Sequence, residues 1–201
     1  IVNTNTLAIS DGSGIATNYT LTNGTLTMTI VPRSTTVSGT KTYDGTTNVS
    51  SSNLTSFSNL AGSDTLSLSG TGTIYSSDVV TGKTVNTSCL TIDNSSGVGS
   101  NYTLSAATVN VTERVIGLSG VRAFDGTNNA SSTDLSISNL VSGENLTLSG
   151  SGTVPNATVE MNKAITLGSL SISDGSGGKS SNYKLTGGSH TCLLYTSDAA
   201  D

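Results

Sequence analysis

Apolar and polar residues take turns through most of this chain. Leu66 and Leu68 alternate with Ser and Thr, as do Leu90 and Ile92, Leu146 and Leu148, and Leu170 and Ile172. Val109 and Val111 repeat the rhythm, and near the start Leu26, Met28 and Ile30 alternate with Thr. Successive strand side chains point to opposite faces, so a period of two predicts strands with one buried face. No apolar set falls at the i, i+3, i+4, i+7 spacing of an amphipathic helix, and helices should be scarce. Turn-forming runs separate the strands, among them Gly70-Thr71-Gly72 and Asp93-Asn94-Ser95-Ser96-Gly97.

The pattern is also copied. Lys41-Thr42-Tyr43-Asp44-Gly45-Thr46 returns 81 residues later as Arg122-Ala123-Phe124-Asp125-Gly126-Thr127. Leu66-Ser67-Leu68-Ser69-Gly70 returns as Leu146-Thr147-Leu148-Ser149-Gly150, and Asn18-Tyr19 returns as Asn101-Tyr102 and Asn182-Tyr183. A fixed period means one folding unit in tandem. Residues 1–32 are the C-terminal part of a first repeat, 33–113 a complete repeat, and 114–191 a repeat lacking its last strand. About seven or eight short strands per copy predict an all-β fold of small antiparallel, Ig-like β-sandwich modules with a period of about 81 residues. A β-solenoid is the competing architecture, but the anchors within a copy are unevenly spaced. A copy of ~80 residues can bury one core and adds roughly 30–40 Å to a string.

Residues 192–201 break the rhythm. Cys192-Leu193-Leu194-Tyr195-Thr196-Ser197-Asp198-Ala199-Ala200-Asp201 resembles the conceptual translation of a sequencing-library transposase adapter, a non-native tail. The natural sequence is therefore expected to stop near Thr191. Val109 lies eight residues after Asn101, and His190 eight after Asn182. His190 thus falls where the closing strand should turn inward, and this end is expected to pack poorly.

Charge narrows the function classes. The chain holds 8 basic and 13 acidic residues, for a net charge of −5. No basic footprint for nucleic acid is present, and no apolar run approaches the ~20 residues a membrane helix needs. Ser and Thr supply about a third of the residues, and with regularly placed Val, Ile and Leu they suit half-buried strands. Cys89 aligns with Ser169, so no disulfide framework recurs. Eleven Asn-x-Ser/Thr sequons occur, including Asn48 and Asn156, in a composition that generates many by chance.

The recurring side chains read as structural. Tyr43 and Phe124 are expected to plug the cores of their copies, since a role open to either ring needs no phenol oxygen. Asp44-Gly45-Thr46 and Asp125-Gly126-Thr127 are expected to build tight turns, because Asp accepts from the backbone two residues on and Gly takes positive φ. Asn101 and Asn182 should bond a neighbouring turn while Tyr102 and Tyr183 pack and leave their hydroxyls at the surface. Tyr102 and Tyr183 are also the candidate ligand contacts, by stacking on sugar rings. No second acidic residue is expected to recur at fixed spacing, which argues against a metal or acid role for Asp44. Asp11-Gly12-Ser13-Gly14 and Asp174-Gly175-Ser176-Gly177 resemble pieces of calcium loops, but turn chemistry explains them. Gly82-Lys83-Thr84 lacks the upstream glycine of a phosphate loop, and His190 is the only histidine. No catalytic, cofactor or metal residue is expected, and the chain reads as a non-enzyme.

The Lys/Arg-x-Tyr/Phe-Asp-Gly-Thr start, the Leu-x-Leu-Ser-Gly-x-Gly-Thr centre and the Asn-Tyr-x-Leu end resemble the YDG domain. Phe124 departs from the pattern, and the second boundary has no Pro. The resemblance implies tandem repeats of large secreted bacterial surface proteins of the filamentous-haemagglutinin-like adhesin type. It implies an extracellular location and a structural stalk that presents distal binding regions, with neighbouring repeats as partners. The competing reading is a module that binds host glycan or surface protein directly and acts by multivalency.

Overall fold

The computed structural model describes residues 7–20, 27–186 and 189–195. The first complete unit runs β1 (Arg33–Thr42), β2 (Asn48–Ser50), β3 (Leu54–Ser58), β4 (Leu66–Thr73), β5 (Val80–Thr84), β6 (Leu90–Asn94) and β7 (Tyr102–Thr112). Its strands form a four-stranded sheet in the order β3-β1-β7-β5 and a three-stranded sheet in the order β2-β4-β6. The second unit runs β8 (Arg114–Val115), β9 (Gly117–Ala123), β10 (Asn129–Ser131), β11 (Leu135–Ser138), β12 (Leu146–Ser149), β13 (Ser151–Thr153), β14 (Glu160–Ala164), β15 (Ser171–Asp174), β16 (Tyr183–Lys184) and β17 (His190–Tyr195). Here the sheet order is β11-β9-β17-β14, with β10-β13, β12-β15 and β16-β8 as separate pairs. The fold is all-β, and the helical turns among the described residues are three-residue 3-10 turns. β10 and β11 begin 81 residues after β2 and β3, and β14 begins 80 after β5.

Alternation places the core. Val37 of β1, Val49 of β2, Leu54 of β3, and Val109 and Val111 of β7 are buried. Leu118, Ala130, Leu135 and Ile165 do the same work in the second unit. Each buried Val, Leu or Ile among these contributes roughly 1.5–3 kcal/mol on leaving water. Most of the buried hydrophobic side chains of both units belong to one cluster, in which Tyr43 meets Tyr183. Gly39 stands where β1 shifts register against β3. A Cβ there would collide with the Asn53 carbonyl, and Gly120 faces the Asp134 carbonyl in the same way.

The sheets are not purely antiparallel, as the alternation pattern had implied. β1 pairs parallel with β7 from Arg33↔Tyr102 to Thr42↔Thr112, and β9 pairs parallel with β17. Parallel neighbours need a long connection, and the strands between them supply it. Each unit is therefore polar. In the first, the chain enters at Arg33 beside Tyr102 and leaves at Thr112 beside Thr42.

Two expectations are corrected at the ends. Residues 190–195 do not pack poorly: β17 inserts between β9 and β14 and fills the closing position of the sheet. Cys192 and Leu194 are 2% and 1% exposed. Cys192 lies opposite Gly120 as Val109 lies opposite Gly39, so the inward register falls two residues beyond His190. The Cys192/Leu194 alternation has the strand period, and unpaired ladders wait on both sides. Met28 and Ile30, by contrast, form no strand and are exposed, while Leu26 lies outside the described residues. An alternating segment becomes a strand only against a partner, and none pairs with it among the described residues.

Candidate functional site at the repeat joint

The Tyr-Asp-Gly-Thr loop leaves β1 and is braced from within. Lys41 is buried, and its ammonium donates to the Thr46 carbonyl at 2.8 Å, the Thr46 hydroxyl at 3.0 Å and the Asn48 carbonyl. It also pairs with Asp44 at 2.8 Å. Asp44 accepts from the Thr46 N–H and hydroxyl, both at 2.9 Å, and Gly45 turns the chain at φ 76°. Burial pushes the Asp44 carboxyl up, but the bonds from Lys41 and Thr46 outweigh it and hold it below the usual range. The second copy repeats the design. Asp125 accepts from the Thr127 N–H and hydroxyl at 2.8 Å, pairs with Arg122, and Gly126 has φ 78°. The Thr127 backbone bond, then Arg122, hold the Asp125 carboxyl at about 2.

What the loop carries is the Tyr43 ring, which meets the second unit rather than the middle of its own. It is 4% exposed and stands edge-on to Tyr183, with centroids 5.4 Å apart and planes at 79°. The Tyr43 hydroxyl donates to Glu144 Oε1 at 2.6 Å, and the Tyr183 hydroxyl donates to Glu144 Oε2 at 2.7 Å. One carboxylate thus clasps a tyrosine from each unit. The Val141 N–H donates to the Tyr183 oxygen at 3.1 Å. Burial, then the neighbouring Glu144 carboxylate, push both phenols up to about 12.

A second set of bonds lies alongside. The Val79 N–H donates to Asn182 Oδ1 at 2.9 Å, and Asn182 Nδ2 donates to Asp78 Oδ1 at 3.0 Å. Lys179 completes the turn by pairing with Asp78 Oδ2 at 2.7 Å. The Asn182 bond, then Lys179, hold the Asp78 carboxyl at about 2. Asn182 itself is only 1% exposed. It bonds a neighbouring turn as expected of it, but the turn belongs to the other repeat.

Positions that are equivalent in sequence are therefore unequal in space. Phe124 does not plug the core of its copy: it is 50% exposed, whereas Tyr43 faces the unit that follows it. Asn101 is exposed where Asn182 is buried. Tyr102 donates to Asp64 and accepts from the Ala61 N–H at 3.1 Å, mirroring Tyr183 with Glu144 and Val141. Each tyrosine hydroxyl is engaged by a carboxylate and a backbone N–H of its own unit. The rings of Tyr102 and Tyr183 are 6% and 3% exposed, so neither offers a sugar an open face.

The remaining candidates are turn and strand parts. Asp11, Asn94 and Asp174 accept from the N–H of Ala16, Gly99 and Ser180, capping the 3-10 turn before each Asn-Tyr pair. Lys83 lies in β5 and donates to the Ser76 carbonyl at 2.6 Å, a brace repeated by Lys163 and Asn156. Both ring nitrogens of His190 are buried without a partner. No group of three or more metal-ligating side chains occurs among the described residues. No helix there is long and apolar enough to cross a membrane.

Two recurrent features went unread. An acidic residue does recur, as Asp64 and Glu144, each two residues before the Leu66 or Leu146 that opens the central motif. Asp and Glu at one position signal a shared carboxylate. The second feature is a clamp at the entry end. Arg33 donates to the Asn59 carbonyl at 2.8 Å and side chain at 2.7 Å, and Arg114 repeats this on Asn139 at 2.6 and 2.7 Å. Ser58-Asn59-Leu60 and Ser138-Asn139-Leu140 carry its signature.

A family model described as YDG domain matches residues 24–110 and again 112–191. No curated protein matches the chain. No solved structure matches it.

Proposed function

Because the chain belongs to the YDG domain family, we propose that it is a structural spacer: tandem Ig-like β-sandwich modules, repeating about every 81 residues, that hold a distal binding region away from a bacterial surface. The parent protein on this reading is a large secreted or surface-attached adhesin of the filamentous-haemagglutinin-like type, and its location is extracellular. The joint carries the reading. Tyr43, Asn182 and Tyr183, at positions that recur from copy to copy, fasten one unit to the next, and Asp44 and Gly45 build the loop that presents Tyr43. A chain that spends its repeated residues on joining modules is organised for reach. The parallel β1–β7 pair supports this, since entry and exit lie at opposite ends of a unit. Ten residues of β1 at ~3.3 Å each make a unit about 33 Å long.

Small-angle scattering of the chain tests the spacer. A stiff pair of units about 65–70 Å long is expected, and Tyr43→Ala with Glu144→Ala should broaden the distribution of lengths. Identical profiles for the two proteins would sink the joint as the source of stiffness. Direct binding of host glycan or protein would instead give saturable binding by the isolated 33–113 unit on a glycan or protein array.

A further inference from the structure

We propose that one side edge of each unit, β3 in the first and β11 in the second, is a pairing edge for a second copy of this chain, whose own β3 or β11 adds antiparallel along it. Chains would then associate side by side. The inference goes beyond the spacer reading and uses neither the joint nor the ends of the chain.

Both units leave the same flank bare. β3 stands at one end of the order β3-β1-β7-β5 and β11 at one end of β11-β9-β17-β14, so each has a side with no strand among the described residues. A second bare flank lies beside each. Leu66–Gly70 of β4 pairs with β6, and β2 reaches only Thr71–Thr73. In the second unit β12 pairs with β15 alone. A cleft opens between the two flanks, of about 340 Å³ in the first unit and about 320 Å³ in the second. Phe57 and Leu68 line the first, Ile137 and Leu148 the second, and all four are only half-buried. The openness does not come from a missing neighbour along the chain: β3 is bare although a unit follows it, and β11 although a unit precedes it.

The opposite edge of each sheet is guarded. β5 shifts register between Val80 and Lys83, and β14 between Glu160 and Lys163. Gly82 and Asn162 take φ of 68° and 56° there. Lys83 and Lys163 turn their ammonium groups inward, onto the Ser76 and Asn156 carbonyls. Bulges and inward charges are the devices that keep an edge from pairing with another chain. β3 and β11 lack the charges: Leu54-Thr55-Ser56-Phe57-Ser58 and Leu135-Ser136-Ile137-Ser138 carry none, and no proline. β11 follows β9 without a register break, and the one shift at the start of β3 leaves Ser56–Ser58 regular against Thr36–Ser38. The occupant such an edge fits is a strand of its own kind, uncharged, with apolar residues toward the cleft and hydroxyls outward. Every copy of the chain carries two of these. Pairing of like edges is two-fold symmetric, and Phe57 or Ile137 of each copy would cover the cleft of the other. With two edges per chain, pairs extend into larger side-by-side sets.

Sedimentation of the full chain across a dilution series reads this out. Wild type should pass from monomer to dimer and larger species as concentration rises. Ser56 and Ser136 are exposed, so charges there leave the fold intact, and urea unfolding of the dilute variants should match wild type. Ser56→Lys with Ser136→Lys sets like charges across every edge pair and should raise the association midpoint roughly ten-fold. It should do so although its net charge lies nearer zero than that of wild type, which would favour unspecific clustering. Ser56→Glu with Ser136→Glu should behave likewise, and an equal mixture of the two variants should recover association. Amide hydrogen exchange places the contact: on concentration it should slow at 54–58 and 135–138 and stay unchanged in β5 and β14. A chain monomeric at every concentration, Lys variants that associate like wild type, or protection confined to other strands would overturn the proposal. So would a monomeric chain whose β3 and β11 amides are protected only by an added peptide of alternating Leu and Ser, which would give the edge to a foreign strand.

Discussion

Tyr43 and Phe124 share a repeat position but not an environment, and the difference lies in what stands opposite. Gly45 and Gly126 make the point measurable. Alanine at either site meets the left-handed backbone cost of roughly 1–2 kcal/mol, but only Gly45→Ala also presses on Val141 at 2.7 Å. Gly45→Ala should therefore destabilise the chain more than Gly126→Ala in urea titrations; equal losses would remove Gly45 from the joint. Tyr43→Phe should cost about 1 kcal/mol of coupling between the units, as the loss of one hydrogen bond. The turn chemistry of Asp44-Gly45-Thr46 was legible because all its partners lie within a few residues. The Tyr43–Glu144 contact was not, because its partners lie 101 residues apart in different copies. A repeat comparison aligns equivalent residues and says nothing about which non-equivalent ones touch.

Strands were legible for the same local reason: alternation reports which face is buried, wherever the strand sits. It is blind to direction, so the parallel pairing of β1 with β7 could not be read from it. Nor does it fix register when a loop gains residues: Cys192, two residues beyond His190, takes the place opposite Gly120 that Val109 takes opposite Gly39. The 3-10 turns before Asn-Tyr form at Ala16–Asn18, Gly99–Asn101 and Ser180–Asn182, even though Tyr19 is exposed. That turn is thus written in the local sequence, while burial of the tyrosine depends on neighbours. Thiol labelling checks β17. Exposed Cys89 should react at once in the folded protein. Buried Cys192, whose thiol burial pushes up, should react only on unfolding. Two fast thiols would show that β17 is not in place.

Across the pair of units, the joint should open at both ends of the pH range. The Tyr43 and Tyr183 phenols sit at about 12 in the folded chain, against about 10 when free. Their raised values mean the contribution is whole below pH ~10 and is lost as pH climbs through about 12. Asp78, held at about 2, contributes fully above its ordinary ~3.9 and loses that contribution as pH falls toward 2. Scattering lengths should therefore be stable between these limits and spread beyond them, with tyrosinate absorbance rising as the alkaline change begins. A phenol titration centred near 10 would show the clasp absent. The parallel β1–β7 ladder carries a mechanical consequence as well. A pull on the two ends of a unit drags β1 one way and β7 the other along their shared length. The ladder from Arg33↔Tyr102 to Thr42↔Thr112 then bears the load in shear, its bonds sharing the force at once instead of breaking in sequence like a zipper.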